Sequence, residues 1–240
     1  MTGIPYPTTL ANCRTVGGMS AGSSSIRPAV LYRCAAPVTV DEQITGWVEH
    51  SGISRIFDLR SEYEARRVLG FPEVSGRATR TRLPLMEGAF AVGSTMPDLE
   101  SLYLPLVLDH PTVWAQVAEE VATNEGATLV HCTAGKDRTG VAIALLLLAV
   151  GADRDAVFED YAASTANLQG SWLQAMRTQI SAAGIPVTEK MLELMVGTSV
   201  PGLDRALGEI ERRHGSVADY LLAHGLERAG LEQLGSRLLA

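Results

Sequence analysis

The stretch VHCTAGKDRTG, Val130 to Gly140, decides the fold of this 240-residue chain and most of its chemistry. Before it, ATLVHC (Ala127 to Cys132) is an apolar run that reads as a buried strand. After it, Thr139 to Val150 reads as an apolar helix. A strand, a glycine-bearing loop and a helix form an anion site by geometry. The loop turns its backbone N–H groups inward, and the helix start adds positive partial charge. Gly135 permits a turn that a side chain would obstruct. Arg138 offers a planar fork that matches two phosphate oxygens. A nucleotide-binding loop of the GxxxxGK[ST] type is excluded. Asp137 stands where that loop needs a magnesium-binding hydroxyl, and Val130 stands at its first glycine position.

The same stretch carries a thiol, Cys132. A free cysteine, with a pKa of about 8.5, is only a few per cent thiolate at neutral pH. Inward N–H groups, a helix start and Arg138 all favour the anion. Shifts of roughly two to four units, about 3–5 kcal/mol, are reasonable in such a setting. The Thr139 hydroxyl can donate to the sulfur and ease its later departure. A thiolate at the base of a phosphate cradle is poised for in-line attack on phosphorus, and the cradle stabilises the equatorial oxygens.

Working outward, Gly17 to Ser25 reads as a loop or hairpin tip, and Ala29 to Ala35 as a short strand. Asp41 is an N-cap for a helix with Ile44, Trp47 and Val48 on one face, ending at Gly52. Ser54 to Arg60 is a buried strand. Ser61 with Glu64 forms a capping-box signal for a helix that Gly70 and Pro72 stop. Thr79 to Leu85 alternates like a strand, residues 86–100 read as loop, and Thr112 to Asn124 as helix. Strands alternating with helices predict an α/β fold with a largely parallel sheet. Beyond Gly151 the pattern is helical: Asp155 to Leu168, Trp172 to Ala183, Thr188 to Val196, a segment with Leu203, Leu207 and Ile210, and one from Ser216 to Gly225. The length suits one domain over residues 1–240.

Bulk properties narrow the function. The net charge of −7, with no long basic run, argues against a general nucleic-acid binder. Cys13, Cys34 and Cys132 form no CxxC pair, which disfavours a disulfide framework or a structural zinc site. The longest apolar run, Val141 to Val150, is too short to span a bilayer. The N-terminus lacks a basic start followed by an apolar run, so a cytoplasmic protein is expected.

His131-Cys132-x-x-Gly135-x-x-Arg138-Thr139 matches HCxxGxxR[ST], and on it the chain resembles the cysteine-dependent protein tyrosine phosphatases. Asn12 to Gly18 (NCRTVGG) resembles the N-x-RDxGG element of one bacterial branch, the mycobacterial tyrosine phosphatase B group, with Thr15 in place of Asp. Leu31 to Pro37 (LYRCAAP) and Phe57 to Glu64 (FDLRSEYE) resemble two further segments of that branch, and EDYAAS and HGSVADYL its later helices. The resemblance implies a central, mostly parallel sheet flanked by helices. It implies Cys132 as nucleophile and Arg138 as phosphate clamp, with His131 tuning the thiolate from outside the pocket. Thr133, Ala134, Gly135, Lys136 and Asp137 would line the loop. It further implies a helical lid within about 155–200, no cofactor or metal, and export without a signal peptide as an option. Substrates would be phosphotyrosine proteins, with phosphoinositides or phosphoserine and phosphothreonine left open. Two rivals carry less weight: a phosphate-binding module without turnover, and another thiolate enzyme such as a sulfurtransferase or arsenate reductase.

Departure of a tyrosyl or inositol oxygen needs a proton. The family often supplies it from a Trp-Pro-Asp loop, and no such string exists here. Asp137 comes first among the candidates, because a carboxylate facing a phosphate dianion is pushed toward its protonated form, against a reading as a loop brace or a solvent-facing residue. Asp58, at a strand end, comes second, against a reading as partner of a structural arginine. Asp98, in the MPDLE loop, comes third. Lys136 is either a seat for an additional phosphate, as the AGK form suggests, or a solvated lysine. Arg80 and Arg82 either rim the pocket or form a solvated face. Cys13 and Cys34 read as partly buried thiols, with a protective disulfide to Cys132 as the alternative.

Overall fold

All six residues of the run Ala127–Cys132 are buried, as suits a strand at the centre of a parallel sheet covered on both faces. The computed structural model describes residues 5–87, 98–182, 184 and 186–240. Its strands are β1 (Arg14–Thr15), β2 (Ser20–Ala21), β3 (Ser24–Ser25), β4 (Leu31–Ala35), β5 (Ile53–Asp58), β6 (Val74–Ser75), β7 (Ala78–Arg82) and β8 (Ala127–Cys132). Its helices are α1 (Glu42–His50), α2 (Glu62–Ala65), α3 (Tyr103–Leu108), α4 (Pro111–Thr123), α5 (Asp137–Ala149), α6 (Arg154–Asn167), α7 (Ser171–Ala182), α8 (Glu189–Val196), α9 (Val200–His214), α10 (Val217–Ala223) and α11 (Arg228–Leu238). No helix among the described residues is long and apolar enough to cross a membrane.

The main sheet has the order β1-β4-β8-β5-β7-β6. Its four central strands are parallel, and β1 and β6 are short antiparallel edges. This is the α/β fold expected from the sequence. The register sets Ala35 beside Cys132 and Asp58 beside His131. The carboxyl ends of three strands therefore meet where β8 turns into α5, the usual place for a site in such sheets.

Alternation along the strands separates two cores. Leu31, Phe57, Val130 and Cys132 join the larger core, with α4, α5, α9 and α10. Tyr32, Cys34, Ile56 and Leu129 join the smaller one, closed by Ile44, Trp47 and Val48 of α1 and by Phe71. Helix α5 is buried from Arg138 through Leu147, so its all-round apolar sequence has neighbours on every side.

Three expectations are corrected. The capping box at Ser61 and Glu64 forms, but α2 is a single turn and does not run on to Gly70. A 3₁₀ turn and α3 occupy residues 100–108, where no helix was expected; Pro105 sits in the first turn of α3, where its missing N–H costs nothing. The strand after residue 78 ends at Arg82, ahead of Leu83-Pro84. Most of the loop expected over 86–100, including Met96 and Pro97, lies outside the described residues.

Candidate active site

Strand β8 delivers Cys132, residues 133–136 turn, and α5 starts at Asp137. Gly135 makes the turn possible. Its φ is +63°, and a Cβ there would lie 2.0 Å from the Cys34 carbonyl oxygen, which belongs to the neighbouring strand. Cys132 is 2% exposed. Thr139 is fully buried and its hydroxyl has no hydrogen-bond partner among the described residues, so its proton is uncommitted there.

Arg138 is fixed by Glu64. Nη2 donates to Oε1 at 2.6 Å, and Nη1 pairs with Oε2. The Thr133 hydroxyl donates to the same Oε1 at 2.6 Å. Burial pushes the Glu64 carboxyl up, but the charge and hydrogen bonds of Arg138, with Thr133 and the Ser61 N–H, outweigh it and hold it at about 2. Glu64 thus caps α2 and braces the guanidinium at once. The sequence reading found only the first role, although Glu64 closes the FDLRSEYE segment of the resemblance.

His131 is fully buried, against Phe71 on the smaller core's side. Burial lowers its pKa to about 4, so the ring is neutral at physiological pH. Its Nδ1 lies 3.4 Å from the Cys132 carbonyl oxygen. Asp58, the second acid candidate, is fully buried beneath the site. Arg60 grips it with Nε at 2.8 Å and Nη2 at 2.7 Å. Burial alone would raise its pKa, but His131 and Arg60 bring it well below the carboxylate range. With His131 neutral above pH 4, Arg60 does this at working pH. A closed-off, ionised Asp58 has no proton to give and no path to a leaving group. Arg80 and Arg82, expected at the pocket rim or in solvent, lie 3.7 and 3.9 Å from the same carboxylate.

Lys136 is neither solvated nor free for a second phosphate. It is fully buried, and Nζ donates to the carbonyl of Leu194 at 2.8 Å and to that of Gly197. Asp137 Oδ2 is 3.4 Å away. Asp137, one-fifth exposed, also accepts a hydrogen bond from the Tyr103 hydroxyl. Tyr103 gives its single proton to Asp137, so the proton between Tyr103 and Tyr161 belongs to Tyr161. The Ser199 N–H donates to Tyr161 Oη at 2.8 Å. Burial, and then Asp137, push both phenols well above their ordinary pKa, so both remain donors. Sequence reasoning missed both tyrosines because nothing local links them to the loop. The third candidate, Asp98, is exposed, and its carbonyl caps the turn at Ser101.

Trp172 and Met176 of α7, Val196 of α8, Leu168 and Ala35 form a third apolar cluster, with Ala134 of the loop packed against it. Cys34 lies in the smaller core beside Cys13, across the sheet from Cys132. That places it badly for the disulfide considered above.

The sequence profile of the tyrosine phosphatase family matches residues 7–240. The chain belongs to that family. The enzyme class expected from the signature, a protein-tyrosine phosphatase, stands on this match. An inferred tyrosine-protein phosphatase of Cupriavidus necator is 29% identical over 229 residues, 89% of this chain and 81% of its own. The triple specificity protein phosphatase PtpB of Mycobacterium tuberculosis is 33% identical over 258 residues, 90% of this chain and 93% of its own.

Proposed function

We propose that this phosphatase removes phosphate from phosphotyrosine in proteins by double displacement at Cys132. One arrangement carries the reading: a buried thiol, a tight loop and a braced arginine on a single strand–loop–helix. The phosphate dianion sits against the loop N–H groups. Arg138 faces Glu64 with its two terminal nitrogens, which leaves Nε and one N–H of Nη2 for two phosphate oxygens. Cys132 Sγ attacks phosphorus as the bond to the tyrosyl oxygen breaks, and Asp137 gives that oxygen its proton. In the second step Asp137 takes a proton from water, the water oxygen attacks phosphorus, and the sulfur leaves as thiolate. Thr139, with its uncommitted hydroxyl, is suited to stabilise that departure. Inorganic phosphate is released, and no metal enters either step.

Asp137 is preferred over Asp58 because it is partly open and held by a fixed donor, whereas Asp58 is sealed in an ion pair. Helices α7 and α8 act as a cover over the loop and must shift for a protein substrate. The mycobacterial relative is named for triple specificity, which makes phosphoserine, phosphothreonine and phosphoinositides worth testing. A polyphosphorylated lipid would need Lys136 to exchange the Leu194 and Gly197 carbonyls for a second phosphate. Phosphotyrosine needs no such exchange and ranks first.

The test is phosphate release from para-nitrophenyl phosphate, a phosphotyrosine peptide and a phosphoinositide, with EDTA, in wild type and Cys132→Ser. Turnover that survives EDTA and vanishes in the variant supports the mechanism, and the substrate ratio gives the class. Phosphate binding without release, from a protein with its thiol confirmed reduced, would replace it with a binding module.

A further inference from the structure

A phosphate cradle works only if its peptide planes are turned the right way. Carbonyl and N–H point in opposite directions across a planar trans peptide. Each carbonyl of the loop that is held outward therefore turns the next residue's N–H inward. The carbonyls of Cys132 and Thr133 are held by the Ala36 N–H, at 2.9 and 3.1 Å. Those of Ala134 and Gly135 depend on side chains from far away in sequence. Asn12 Nδ2 donates to Ala134 O at 3.1 Å and to Gly135 O at 2.9 Å. Arg33 Nη2 donates to Gly135 O at 2.9 Å and to Lys136 O at 3.3 Å.

Both donors are buried and themselves fixed. Asn12 is 3% exposed and Arg33 fully buried. Arg14 Nη1 donates to Asn12 Oδ1, which determines the way the amide faces and points Nδ2 at the loop. Asp160 of α6 neutralises both cations, at 2.6 Å from Arg14 Nε and 2.6 Å from Arg33 Nη1. Asn12 has φ +56°, a conformation asparagine tolerates better than most residues. Thr15 stands where the bacterial branch has Asp; among the described residues its hydroxyl accepts from Ala29 N and donates to Leu31 O, away from the loop.

We propose that Asn12 and Arg33 are positioning residues of the cradle. By holding the carbonyls of Ala134, Gly135 and Lys136 outward, they aim the N–H groups of Gly135, Lys136 and Asp137 at the phosphate oxygens. The inference rests on the reading of residues 133–138 as the phosphate site. It assigns work to the N-terminal segment and to α6 that the signature does not contain.

Asn12→Asp keeps size, backbone tolerance and the acceptor for Arg14 while removing the two donors. Asn12→Gly keeps the backbone conformation and removes the side chain. Orthovanadate is titrated calorimetrically into reduced wild type and both variants, and kcat and KM for para-nitrophenyl phosphate and thermal melts are measured on the same samples. The expected result is vanadate binding weakened about tenfold or more, the ratio that about 1.4 kcal/mol gives, with kcat/KM falling in parallel. Arg33→Lys retains a charge for Asp160 and one donor, and is expected to show a smaller loss of the same kind. It tests the second donor should the Asn12 variants fold poorly. Lower melting points with unchanged vanadate affinity and KM would make both residues merely structural and overturn the inference. Wild type that binds no vanadate would sink the cradle reading itself, and the inference with it.

Discussion

Arg138 gives both terminal nitrogens to a single carboxylate, that of Glu64, and the same carboxylate accepts the Thr133 hydroxyl and caps α2. A one-turn helix is thereby tied to both ends of the phosphate loop. Arg138 is 5% exposed, so the orientation of its guanidinium depends on this partner.

Glu64→Gln is accordingly expected to do more than remove a surface charge. It leaves a buried cation without its counterion, at about 3 kcal/mol in urea unfolding. It also frees the fork to rotate, so kcat/KM on para-nitrophenyl phosphate should fall at least about tenfold. The carboxyl is held at about 2, against about 4.3 unfolded. Its contribution to stability is therefore complete above pH 4.3 and lost as pH falls toward 2. The Gln variant should lack that acid limb. An activity loss without a stability loss would mean that the brace is local to catalysis.

The Tyr103 hydrogen bond to Asp137 makes a paired prediction. Asp137→Asn should cost about 100-fold or more on phosphotyrosine peptide and much less on substrates with good leaving groups. Tyr103→Phe should reproduce part of that pattern by releasing the carboxyl from its fixed donor. The double variant should lose little beyond Asp137→Asn, because the two act as one unit. Additive losses would separate the tyrosine from the acid.

The strand–loop–helix was legible because its information is local: HCxxGxxR[ST] fixes spacing, and apolar runs on either side fix the context. The α/β class was legible for the same reason. What surrounds the loop was not. Glu64 and Arg138 are 74 positions apart, and the carbonyls that take Lys136 lie 58 and 61 positions further on. A lysine in a glycine loop looks solvated until those carbonyls are placed over it. Asp58 looked eligible because it ends a strand, and strand ends do gather at the site. The alternative, a structural arginine as its partner, is the one the fold bears out, with Arg60 in contact and Arg80 and Arg82 nearby.

His131 predicts a second acid-sensitive step. Its pKa is lowered by burial to about 4, against about 6.5 unfolded. Between those values the unfolded chain binds the extra proton, so stability rises with pH across this window and falls as pH drops from 6.5 to 4. The span amounts to at most about 3 kcal/mol. His131→Asn should flatten that slope in melts recorded at several pH values. An unchanged slope would assign the loss to other groups.

Gly135→Ala should be among the most damaging single-methyl changes in the chain. The new Cβ meets backbone, not a flexible side-chain end, and φ +63° adds left-handed strain. The cost should be at least about 2 kcal/mol, with loss of activity. Gly18→Ala is the control: its φ is +85°, but no atom of the described residues lies within 4 Å of the new Cβ. It should cost about 1 kcal/mol and leave turnover intact. Equal effects from the two would mean that backbone strain alone, without the contact to Cys34, accounts for the loss.

Lys136 ties the loop to the end of α8, and removing that tie should expose the thiol. Lys136→Met keeps the apolar stem and deletes the donors to Leu194 and Gly197. Residues 194–199 should then exchange amide protons faster, while the central strands β4 and β8 keep their protection. Cys132, 2% exposed in the closed arrangement, should react severalfold faster with iodoacetamide. The rate must be read at the plateau of its pH profile, because the thiolate is the reacting form. Faster exchange with an unchanged plateau rate would show that the α8 end moves without uncovering the sulfur. The cover would then have to be sought in the Trp172 and Met176 contacts instead.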